Sequence, residues 1–98
     1  HTLLLTPGSF LIISSYLNAR PPYDPLTLLT PIAQVDSYSF VLVVHPSVPA
    51  KNAKELVAVA KAKPGALSFV SSGLGSNFHL AGELFKLRGK VELWHVPY

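Results

Sequence analysis

Between residues 66 and 95 an apolar run, a loop of small residues, an amphipathic run of helical period and a second apolar run follow one another, and few folds accommodate that succession. Ala66 to Val70 reads as a strand, Ser71-Ser72-Gly73-Leu74-Gly75-Ser76 as a turn, Asn77 to Arg88 as a helix and Val91 to His95 as a second strand. Two strands joined through a helix run parallel, because the helix brings the chain back to the end of the sheet where it started. Ser76 is placed as the helix N-cap, Ala81, Leu84 and Phe85 face inward, and Gly89 ends the helix.

The rest of the chain repeats the alternation more loosely. Thr2 to Leu5 reads as a short buried strand closed by Thr6-Pro7-Gly8-Ser9, with Ser9 as a helix N-cap and Phe10, Ile13, Ser14 and Leu17 on one mostly apolar stripe of the helix that follows. Pro21-Pro22 stops that helix, and residues 20–25 form an extended connection. Ile32 to Val35 and Tyr38 to His45 read as buried strands of a parallel sheet covered on both faces. Asn52 and Glu55 have capping-box spacing, and Ala53, Leu56, Val57 and Ala60 form the inward stripe of a helix that Pro64-Gly65 ends. The pattern is α/β, with a mostly parallel sheet and flanking helices.

Composition narrows the function. The chain is 49% hydrophobic and 13% charged, a globular rather than a disordered balance. The formal charge is +3, and four of the lysines lie in or beside the helix after Asn52 without interleaved aromatics, so they read as a solvated face and not as a nucleic-acid surface. The chain has no cysteine, which excludes disulfides, thiolate chemistry and sulfur-ligated metals. Leu3 to Leu5 is too short and lacks the basic flank of a leader, and the run at residues 41–44 is far short of a membrane span.

The segment with chemical content is the loop before Asn77. Glycines at 73 and 75 let the backbone approach a ligand, Ser71, Ser72 and Ser76 supply hydroxyls, and the helix start supplies unpaired N–H groups with a partial positive charge. Such a constellation seats an anion, and it also describes an ordinary tight turn with a serine cap. No lysine follows the second glycine as a phosphate-binding loop requires, and Phe78 stands where a dinucleotide fingerprint needs a small residue. Gly75 occupies the position of the nucleophile in a serine-hydrolase elbow. His45, His79 and His95 share no spacing that would gather them round a metal, and no two acids are paired for acid–base work, so neither metal nor cofactor is expected. His79 falls in the first helical turn, where it faces a ligand or caps local structure.

Several ordered segments resemble one family. These are Tyr23-Asp24-Pro25, residues 41–51, Lys54-Glu55-Leu56, residues 60–65, the loop at residues 71–76 with residues 79–85, and His95-Val96-Pro97-Tyr98. Together they are similar to the Bug receptors of tripartite tricarboxylate transporters across essentially the whole chain. The resemblance implies part of a two-lobed, periplasmic-binding-protein type II-like fold. It implies residues 1–42 in the first lobe, 43–46 crossing between lobes and 47–98 in the second, with further strands before position 1 and after Tyr98. It implies a periplasmic receptor that holds a small organic carboxylate and delivers it to membrane permease subunits. By that resemblance Thr6, Gly8 and Ser9 belong to a ligand-facing loop of the first lobe. Ser71, Ser72, Gly73, Gly75, Ser76, Asn77 and His79 belong to the loop and helix start of the second.

Two other readings stay open at this point. One is a structural fragment that associates with a copy of itself, possible for a short chain cut from a larger sheet. The other is a small hydrolase using Ser76 and His79.

Overall fold

A computed structural model describes residues 2–98. In chain order the elements are α1 (Gly8–Leu17), α2 (Pro25–Leu28), α3 (Ala53–Ala62), β1 (Ser68–Ser71), α4 (Asn77–Gly89) and β2 (Trp94–Pro97). The strands β1 and β2 pair in parallel, with Ser68 opposite Trp94 and Ser71 opposite Pro97. The strand, loop, helix and strand unit read from the sequence is therefore present, although each strand starts two or three residues later than its apolar run. Val91 lies before β2 and is nonetheless buried, so the apolar run marks burial more faithfully than pairing.

The expected strands at residues 2–5, 32–35 and 38–45 do not form among the described residues, and the sheet has two strands. A doubly covered parallel strand needs a hydrogen-bonding neighbour and a layer on each face. Val41 and Val43 have neither and are 81% and 80% exposed. The radius of gyration is 16.9 Å, against about 13 Å for a compact chain of this length. A large apolar surface is left uncovered.

Asn52 caps α3 as its spacing demands, its Oδ1 accepting from Glu55 N–H at 3.0 Å. The reciprocal arm differs from the ordinary capping box: Glu55 accepts from Lys51 N–H at 2.7 Å and from the Asn52 side-chain Nδ2 at 2.8 Å. Leu56 and Ala60 are buried as expected, while Ala53 is exposed and Val59 turns partly inward in its place. In α4, Ala81 and Phe85 are half-buried but Leu84 is exposed, because the covered face includes Gly82, which has no room for a Cβ beneath the Phe69 ring.

Two helix ends are set differently from the sequence reading. α1 begins two residues earlier than Ser9 as a cap implies: Pro7 occupies the cap position without a side-chain bond, and its carbonyl accepts from Phe10 N–H at 3.1 Å. Gly89 remains helical and Lys90 makes the left-handed turn, with its N–H bonded to Lys86 O. Gly89 serves packing instead, since a Cβ there would lie 3.2 Å from Val57 Cγ2, which brings the end of α4 close to α3.

Candidate functional site

The loop joining β1 to α4 is tied together by its own side chains. Ser71 is buried at 6% exposure, and its Oγ accepts from Gly73 N–H at 3.2 Å and donates to Gly73 O at 3.0 Å. Ser76 caps α4 as expected, accepting from His79 N–H at 3.2 Å while its hydroxyl donates to Gly73 O at 2.8 Å. Ser76 N–H also donates to Gly73 O, at 3.3 Å. Gly75 N–H donates to His79 Nδ1 at 3.1 Å. Gly73 and Gly75 both have positive φ, at 120° and 75°, which a side chain would resist.

These bonds sort the donors. The amides of Gly73, Gly75, Ser76 and His79 are satisfied within the protein, so the socket is narrower than the sequence pattern suggests. The amides of Ser72, Leu74, Asn77 and Phe78 have no hydrogen-bond partner among the described residues. Asn77 and Phe78 are the first-turn donors that a helix leaves unpaired. The Asn77 side chain donates to Tyr38 Oη at 3.3 Å, and Phe78 packs edge-on against Phe40 at 5.1 Å. Residues 38–40 thereby lie beside the start of α4, a contact that spacing did not reveal.

A cleft of about 280 Å³ separates α1 from the loop. Ser9, Phe10, Leu17 and Asn18 line one side, and Ser72, Leu74, Gly75 and Ser76 the other. Gly75 has no space for a Cβ because the Leu17 side chain occupies it, so α1 seats directly on the turn. The structure thus brings Ser9 together with Ser72, Gly75 and Ser76. Thr6, Gly8, Ser71, Gly73, Asn77 and His79 do not line this cleft: the Thr6 hydroxyl bonds Pro7 O at 3.4 Å, and Ser71 and Gly73 lock the turn from within.

His79 turns inward into a stack that the sequence did not announce. Its ring lies 4.1 Å from that of His95, which in turn lies 4.8 Å from Phe69. His95 Nε2 is 2.7 Å from Ser71 Oγ. Desolvation in this half-covered position, followed by the neighbouring His79, holds the His95 proton affinity below the usual imidazole value; Lys86 acts in the same direction and Glu83 against it. The parallel register sets His95 directly opposite Phe69, which is the signal that would have found the pair. Ser76 and His79 do not form a nucleophile and base, because the hydroxyl is spent on Gly73 O and His79 Nδ1 on Gly75 N–H.

The family model described as tripartite tricarboxylate transporter family receptor matches residues 1–98. Protein BugT of Bordetella pertussis is 36% identical over 99 aligned residues, covering the whole of this chain and 30% of that protein. A protein from the tcbD-tcbE intergenic region of a Pseudomonas species is 36% identical over 98 residues, again the whole chain and 29% of the relative. One from the gbd 5' region of Cupriavidus necator is 38% identical over 76 residues, 78% of this chain and 23% of its own length. The chain spans about three-tenths of the length of the first two. No solved structure matches it.

Proposed function

Because this chain belongs to the tripartite tricarboxylate transporter receptor family, we propose that it is part of a periplasmic receptor whose cleft at Ser9 and Ser72 takes the carboxylate of a small organic anion and passes it unchanged to membrane permease subunits. Receptors of this family serve transport and are not enzymes. The surrounding protein is a two-lobed, type II-like binding protein, with residues 1–42 and 47–98 contributing to separate lobes and residues 43–46 crossing between them. Lobes of that kind close on a ligand by a hinge motion.

One observation supports this reading above the others: a single cleft is shared by Ser9 on α1 and by the loop at residues 72–76, segments more than sixty positions apart that the family resemblance marks as ligand-facing. The unpartnered amides of Ser72 and Leu74 and the hydroxyls of Ser9 and Ser72 are the donors assigned to the carboxylate. The end of a helix contributes about 0.3 to 1 kcal/mol to an anion at a surface. Hydrogen bonds to a charged group contribute about 1.5 to 3 kcal/mol each, so the loop donors decide affinity.

The test is calorimetry on the intact receptor with mono-, di- and tricarboxylates and their uncharged amides. We expect a carboxylate to bind and its amide not to, and Ser9→Ala or Ser72→Ala to weaken binding roughly tenfold. Equal binding of acid and amide, or indifference to both substitutions, would remove the assignment.

A further inference from the structure

The turn at residues 72–76 is closed by an imidazole. Because Gly75 N–H donates to His79 Nδ1 at 3.1 Å, that nitrogen carries no proton, and the ring proton sits on Nε2, 3.9 Å from Glu83 Oε1. We propose that His79 is a proton-operated latch on this turn: with Nδ1 bare it holds the Gly75 amide, and a proton taken up there from solvent sets donor against donor and releases the turn. The one covalent change is the new Nδ1–H bond, its proton given up by hydronium, which leaves as water. The bond exchanged is one backbone hydrogen bond, whose acceptor exists in only one charge state of the ring.

The groups around His79 define what acts on it. From β2, His95 stacks at 4.1 Å, and from β1 the Phe69 ring lies parallel at 6.5 Å. On α4 itself Glu83 Oε1 lies 3.9 Å from Nε2, and Lys86 is held on Glu83 at 2.9 and 3.1 Å. Two imidazolium charges at the stacking distance repel, so the pair accommodates one proton more readily than two. The depressed proton affinity of His95, caused by desolvation first and by His79 second, agrees with such a stack. Protonation of His95 alone leaves the turn closed, because the serine hydroxyl is given to Gly73 O and Nε2 donates to Ser71 Oγ at 2.7 Å in either charge state of the ring. The latch therefore belongs to His79. Gly75 borders the cleft, so a released Gly75 N–H adds a donor beside Ser72 and Leu74. That last consequence rests on the proposed anion site, whereas the latch does not.

The deciding experiment is NMR on the intact receptor with 15N-labelled glycine and histidine and no added ligand, titrated between about pH 8 and pH 5, the range over which imidazoles change charge. We expect the Gly75 amide to shift with the same midpoint as the His79 ring nitrogens. Its exchange protection, corrected for the intrinsic pH dependence, should fall about five- to tenfold, as the loss of one net hydrogen bond implies. His79→Asn keeps an acceptor near the position of Nδ1 but takes no proton, and should hold the Gly75 amide throughout. His95→Gln should leave the Gly75 response in place. A Gly75 amide that stays fixed while the His79 ring titrates, or one that still responds in the His79→Asn protein, overturns the latch. Should that variant fail to fold, the comparison of ring and amide midpoints in the unsubstituted receptor decides alone.

Discussion

His95 carries a depressed proton affinity that ties stability to pH. Its proton affinity is depressed in the folded chain, chiefly by desolvation, so the folded state binds fewer protons than the unfolded one between the lowered value and the ordinary 6.5. The contribution of the neutral ring is complete above pH 6.5 and is lost as the pH falls below it toward the folded value. We expect the urea midpoint to fall on acidification from about pH 7.5 to pH 5, and the slope to flatten in His95→Gln, which keeps a polar partner for Ser71 without titrating. A midpoint independent of pH, or an unchanged slope in the variant, would contradict the assignment. At this scale the sequence was informative where function needed only neighbours along the chain. Ser76 and Asn52 were legible as caps because each bonds an amide three residues away. The His79 and His95 stack was not, because it depends on a register between strands that the chain does not spell out.

Elements succeed or fail in this chain according to what they require from elsewhere. α3 and α4 follow their sequence boundaries closely because helices satisfy their own backbone, and their caps are local. The apolar runs at residues 32–35 and 38–45 have the composition of strands, yet a strand is completed by a neighbour, and among the described residues none pairs with them. The sheet that does form is tightly fitted to its helix. Gly82 lies beneath the Phe69 ring with no space for another carbon, so α4 approaches β1 only because residue 82 has no side chain. Overpacking of this kind costs about 1 to 3 kcal/mol, well above the roughly 1 kcal/mol that alanine gains over glycine inside a helix. Gly82→Ala should therefore lower stability despite its better helix propensity, with a reduced urea midpoint and a shifted Phe69 ring resonance. A stabilised Gly82→Ala protein would show that propensity outweighs the fit and that the two elements can separate at little cost.

For the whole molecule the governing quantity is uncovered apolar surface. Three hydrophobic residues, Leu56, Ala60 and Val91, make up the buried core of the described chain, while Leu3, Leu5, Ile32, Val41 and Val43 each remain at least 80% exposed. Exposed apolar area is unfavourable at about 25 cal/mol per Å², and an unpaired apolar run also leaves its backbone donors and acceptors open to another chain. Relatives of this chain are more than three times its length, and the proposed receptor would cover the same surface with contacts from its other segments. In isolation the 98-residue chain lacks those contacts and should cover the surface with copies of itself. Sedimentation of the isolated chain over a range of concentrations should show reversible association, weakened by Val41→Lys or Val43→Lys, which place charge on the exposed run. The same chain should bind carboxylates weakly or not at all, since it spans about three-tenths of the relatives' length and so only part of each proposed lobe. A monomer at all concentrations would mean that this run folds back on its own chain, and tight carboxylate binding by that monomer would mean that the cleft at Ser9 and Ser72 is sufficient without the rest of either lobe.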